Sequence, residues 1–85
     1  MNSAFKLDVS KKQSIDTSFT APSAGILSVR NTSKGTYMVT IDNVEVARSF
    51  FYDSQDNTSI VIPIGAGQKA EITFAERFFI PYSII

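Results

Sequence analysis

The chain has 85 residues, enough for one domain spanning 1–85 and no more. Eight basic and eight acidic residues cancel, and the longest charge block is Lys11-Lys12, so no basic footprint for nucleic acid is present. Cysteine and histidine are absent, which removes disulfide staples, thiolate zinc sites, the thiol nucleophile and the commonest general base. Charged residues make up only 19% of the chain, a poor surface for a soluble monomer, so part of it is expected to be hidden in an oligomer or larger particle.

Period-two alternation runs through most of the sequence. Phe5, Leu7 and Val9 alternate with Lys6, Asp8 and Ser10, the pattern of a half-buried strand. Lys11 to Ser14 is a polar break, and Ile15, Thr17 and Phe19 start a second alternation. Ala21-Pro22-Ser23-Ala24-Gly25 reads as a turn, with Gly25 supplying backbone freedom. Ile26 to Arg30 is the next strand, with Leu27 and Val29 expected inward. A loop from Asn31 to Gly35 leads to alternating Tyr37, Val39 and Ile41. Asp42-Asn43 then separates two β-branched runs, a hairpin signal, because both residues tolerate positive φ.

Strand Val44 to Phe50 or Phe51 follows, then the polar loop Tyr52 to Asn57. Thr58 to Ile64 is a strand whose Pro63 pushes it to a sheet edge or a bulge. Gly65-Ala66-Gly67 is a tight turn. Ala70, Ile72 and Phe74 then share a strand face, and Arg77 to Tyr82 closes the domain. Gln68 to Arg77 also contains good helix formers, with Ala70, Phe74 and Phe78 spaced by four, so a helix stays open there. About eight short strands with frequent turns predict an all-β sandwich or small barrel.

Catalytic groupings are missing. No serine lies in a Gly-x-Ser-x-Gly elbow, and the acids are scattered over turns and solvent-facing strand positions. The loop Asp53-Ser54-Gln55-Asp56-Asn57 could supply oxygens to calcium, but it lacks the EF-hand spacing and glycine, and as a plain Asx-rich loop it needs no metal. No enzyme, cofactor or metal is expected. The longest aliphatic stretch, Ile60 to Ile64, is too short to cross a bilayer, so no membrane insertion is expected, and the N-terminus lacks the apolar core of a signal peptide.

Adjacent rings pose a geometric problem. Phe50 and Phe51 cannot both enter one core from a strand, nor can Phe78 and Phe79, because neighbours face opposite sides. One ring of each pair covers another surface or meets a partner. The apolar terminus Ile84-Ile85 likewise reads as docked.

The ordered motifs resemble a family. Phe19-Thr20-Ala21-Pro22-Ser23-Ala24-Gly25 is similar to the "Thr-Ala-Pro, Ser, x, Gly" opening of small C-terminal β-domains of bacteriophage tail fibres and other virion appendages. Val39 to Val46 resembles their "V-x-V-N-G-x-x-V" hairpin, Ile62 to Gln68 their "P-V-x-x-G-D" strand and turn, and Arg77 to Tyr82 their closing "x-F-x-P" strand. The lead-in Leu7 to Ile15 fits as well. The chain departs from the pattern where Asp42-Asn43 replaces Asn-Gly and Gln68 replaces the aspartate, which puts the subfamily in doubt.

The resemblance implies an antiparallel, jelly-roll-like β-sandwich knob on a virion, commonly a homotrimer, made in the host cytoplasm. It also implies attachment to the virion or binding of a host-surface glycan or protein. On that reading the apolar seam is expected at Phe51, Phe79 and Ile85. The ligand contacts are expected at Tyr52, Asp53, Gln55, Asp56 and Asn57, with Asn31 and Lys34 from the neighbouring loop. The alternative is a capsid or tail decoration protein that binds other virion proteins. With no stalk before it, the chain reads either as an excised knob or as a complete short protein.

Overall fold

A computed structural model of the chain describes residues 5–31, 33–51 and 58–84. Among these, nine strands form two antiparallel sheets: β1 (Phe5–Leu7), β2 (Gln13–Ser14), β3 (Ser18–Thr20), β4 (Gly25–Asn31), β5 (Gly35–Ile41), β6 (Val44–Phe51), β7 (Thr58–Ile64), β8 (Lys69–Ile72) and β9 (Glu76–Ile84). Sheet one has the order β1-β9-β4-β7, with β2 also on β9; sheet two has the order β3-β8-β5-β6.

The pairings are nested. β5 pairs β6, β4 pairs β7, β3 pairs β8 and β2 pairs β9. The chain is therefore one long antiparallel hairpin whose successive strand pairs alternate between the sheets, rolled so that β4 also meets β9 and β5 also meets β8. That is the jelly-roll arrangement of a β-sandwich.

The tip of this hairpin is Asp42-Asn43, with φ of 50° and 68°. Two consecutive positive values give the mirror-image turn whose twist matches the flanking strands, so Ile41 pairs directly with Val44. Val39 then faces Ala47 while Thr40 faces Glu45, so Val46 is an extra residue, a bulge that bends β6.

The turn residues Asp42 and Gln68, distant in sequence, touch one another. Gln68 Nε2 donates to Asp42 Oδ2 (3.4 Å), and Gln68 Oε1 accepts the Gly65 N–H (2.7 Å). Asp42 Oδ1 also accepts the Lys69 N–H (3.0 Å), which ties the hairpin tip to the turn before β8. Gly67 closes that turn with φ of 83°.

The core lies between the sheets. Leu27 and Val29 of β4, Val39 and Ile41 of β5, Ile62 and Ile64 of β7, Ala70 and Ile72 of β8, Phe74 and Phe79 form one buried cluster. Ala70, Ile72 and Phe74 share the inward face of a strand and its continuation, so the helical alternative over 68–77 is not adopted. Pro63 stands on β7, an edge strand, as expected.

Three local expectations change. The alternation from Ile15 to Phe19 is not one strand. β2 belongs to sheet one and β3 to sheet two, and Ile15 is buried at the crossing, its N–H on the Arg77 carbonyl (3.2 Å). The lead-in strand stops at Leu7, and Val9 lies 69% exposed in a 3-10 turn, Val9–Lys11. Gly25 has no positive φ; it opens β4 where a Cβ would stand 2.4 Å from the Ile80 carbonyl oxygen. Its glycine is required by close strand approach rather than by a turn.

Candidate functional site

The break in the lead-in strand has a cause on β9. Asp8 N–H donates to the Pro81 carbonyl (2.8 Å), which continues the β1 ladder by one residue. Pro81 has no N–H to return, so the ladder ends there. Pairing resumes only at Gln13 opposite Phe79. Residues 9–12 thus stand opposite Ile80 alone, and Val9–Lys11 form the 3-10 turn.

The gap beside β9 is an open groove of about 500 Å³. One wall carries Asp8, Lys11 and Gln13; the other carries Tyr82 and Ser83, with Pro22 and Ser23 from the turn before β4. Phe79 and Pro81 complete the lining. Asp8 is held in place, because Ser10 Oγ donates to Oδ1 (2.6 Å) and Lys11 Nζ lies 3.8 Å from Oδ2. Lys11, Gln13 and Ser23 are exposed, and Tyr82 is 37% exposed. Next to the groove, Lys12 Nζ stands over the Phe78 ring, 4.2 Å from its centroid.

Chemically, this set presents two aromatic residues, two prolines, one carboxylate, one ammonium, one amide and three hydroxyls around an open concavity. Among the described residues, Asp8 is the carboxylate that lines the groove. Among the described residues, no group of three or more carboxylates could hold a metal ion. The arrangement suits holding a polar ligand with a partly apolar face.

Of the residues expected from sequence to bind ligand, the two that are described, Asn31 and Lys34, do not line this groove. Tyr52, Asp53, Gln55, Asp56 and Asn57 lie outside the described residues, as does Ile85. Asn31 is 1% exposed and committed to structure. Its Nδ2 bonds the Ser33 carbonyl (3.0 Å) and Ser33 Oγ (2.9 Å), and its Oδ1 accepts the Ala75 N–H (2.9 Å). Lys34 is exposed, and its carbonyl accepts the Tyr37 hydroxyl (3.2 Å).

Of the seam residues, Phe51 is described by its backbone alone, opposite Gly35 on β6. Phe79, expected on a subunit seam, is 1% exposed and packs in the core, with its ring 5.0 Å from that of Phe19. The ring facing outward is its neighbour Phe78, which pairs across the outer face with Ser28. The alternation of the two rings holds, but with the opposite phase.

Lys11, Gln13, Ser23 and Tyr82 line the groove and are not among the site residues expected from sequence. The available signal was Pro81, a proline inside the closing strand, which has to interrupt any ladder on the side toward which it turns its nitrogen. Comparison with known proteins gives no family model, curated protein or solved structure that matches this chain. No helix among the described residues is long and apolar enough to cross a membrane.

Proposed function

We propose that this chain is a non-enzymatic recognition module, a β-sandwich knob of a virion appendage that engages a host-surface glycan. The observation that carries the reading is the groove beside β9, whose lining includes the 37%-exposed Tyr82 together with Asp8, Lys11, Gln13 and Ser83. A sugar ring has an apolar C–H face and a rim of hydroxyls that both donate and accept. An aromatic face with mixed donors and acceptors around it matches both. The ordered motifs from Phe19 to Tyr82 add the virion context.

The experiment is a glycan array and a host-cell adsorption assay with the wild-type chain and with the variants Tyr82→Ala and Gln13→Ala. Both side chains are exposed, so the variants keep the core. The expected result is saccharide binding by the wild type that weakens about tenfold or more with Tyr82→Ala, equivalent to about 1.4 kcal/mol. Binding that Tyr82→Ala leaves intact, or a wild type that retains no glycan and no host cell, rejects the reading.

One observation favours the second reading, a decoration or assembly protein. The outer face of sheet one carries an apolar patch at one end: Val61, Pro63 and Tyr82 are exposed, and Phe78 and Ile80 are half-buried, while Arg30 and Glu76 stand at the other end. Such a patch fits a protein surface better than a sugar. Mixing the chain with particles that lack it, and separately with host cells, separates the two readings.

A further inference from the structure

We propose that the open edge of β7 pairs with the same edge of a second copy of this chain, antiparallel and centred on Val61. The described strands at the sheet edges are unequal. β1 and β3 are three residues long. β6 is eight residues long but carries the Val46 bulge and a Glu45–Arg48 ion pair at 2.6 Å, and the guanidinium bonded to Glu45 holds that carboxyl below its ordinary range. Bulges and charges are the usual means of keeping an edge from pairing. β7 is seven residues long, Thr-Ser-Ile-Val-Ile-Pro-Ile, with no charge and no register shift against β4.

The direction of its backbone groups follows from the ladder. Tyr82 N–H donates to the Ala24 carbonyl, so even-numbered residues of β4 turn toward β9 and odd-numbered ones toward β7. Gly25, Leu27 and Val29 therefore bond Ile64, Ile62 and Ile60. Ser59, Val61 and Pro63 turn their backbone groups to the side where no described strand lies. Proline's missing donor thus costs β4 nothing, which is why Pro63 is tolerated.

A two-fold axis at Val61 matches this edge to itself. Val61 faces Val61 of the second copy, and the two exchange two N–H···O bonds. Ser59 faces Pro63 of the second copy, so each Ser59 N–H meets a proline carbonyl, giving two more. The proline nitrogen falls where only the Ser59 carbonyl is left to water. No like charges meet, because β7 has none. On the outer face the 57%-exposed Val61 side chains meet; on the inner face Ile60 meets Ile62, joining the two cores. This pairing is isologous and closes at two copies, unlike the three-fold assembly that the family resemblance implies.

The test is light scattering on the wild-type chain and on Val61→Pro and Val61→Lys, with amide hydrogen exchange on the wild type. The expected wild-type mass at micromolar concentration is twice the 9.3 kDa of the chain. Both variants are expected at the single-chain mass with their β-sheet circular dichroism retained, since neither removes a bond to β4. Ser59 and Val61 amides are expected to be protected, with protection lost on dilution. A wild type of single or triple mass overturns the pairing, as does a dimer that survives both variants. Should a variant fail to fold, the exchange decides: Ser59 and Val61 amides unprotected in the dimer overturn it. Protection of Val61 that appears only when virion particles are added assigns the edge to another chain, and also overturns it.

Discussion

Asn31 shows how a single polar residue can mislead. In the sequence it opens a polar loop and looks like a ligand contact. In the fold it is a clamp that ties the end of β4 to Ser33 and to the turn at Ala75, and every polar atom of its amide that needs a partner in the interior has one. Replacing it removes the acceptor of the part-buried hydrogen bond from the Ala75 N–H. Asn31→Ala is therefore expected to cost about 2 kcal/mol, the penalty for stranding a polar group, measured as a lower urea midpoint. A variant as stable as wild type would show that water takes over both partners and that the clamp has no structural role. Lys34, three residues on, remains at the surface and keeps its side chain available.

Among the elements, the β5–β6 hairpin was the most legible, because its turn chemistry is local. Asp42 and Asn43 tolerate positive φ, and the flanking Ile41 and Val44 do not. Asn43→Ile places a β-branched side chain at φ of 68° and is expected to lower stability by about 1–2 kcal/mol in thermal or urea unfolding. An unchanged midpoint would mean that the turn adopts another conformation. Strand β9 was harder to read. Its even residues Phe78, Ile80 and Tyr82 and its odd residues Phe79 and Pro81 are all apolar or aromatic, so alternation identifies a strand without saying which side is inside.

For the whole molecule, that phase decides where the core ends and the contact surface begins. Phe79→Ala empties a ring-sized space in the core of a small domain and is expected to cost about 3–5 kcal/mol. Such a loss is a large part of the total stability of a domain of this size. Phe78→Ala removes a half-exposed ring from the outer face and is expected to cost about 1 kcal/mol. Equilibrium denaturation of the two variants measures the difference, and equal losses would contradict the assignment of inside and outside. The same phase places Phe78 on the apolar outer face with Ile26, Ile80, Val61 and Pro63, continuous with the β7 edge.

The sequence by itself determined the all-β class, most strand spans, the hairpin tip at Asp42-Asn43, the Gly65–Gly67 turn and the confinement of Pro63 to a sheet edge or a bulge. Each follows from forces that act within a few residues: period-two side-chain direction, positive φ, and a missing N–H. Tertiary structure decided which of two adjacent rings is buried, where the chain crosses from sheet one to sheet two at Ile15, and that Pro81 opens a groove. Those depend on which strand lies alongside, and hence on which backbone group finds a partner across the ladder. Residues distant in the chain make that choice, so no local window contains it.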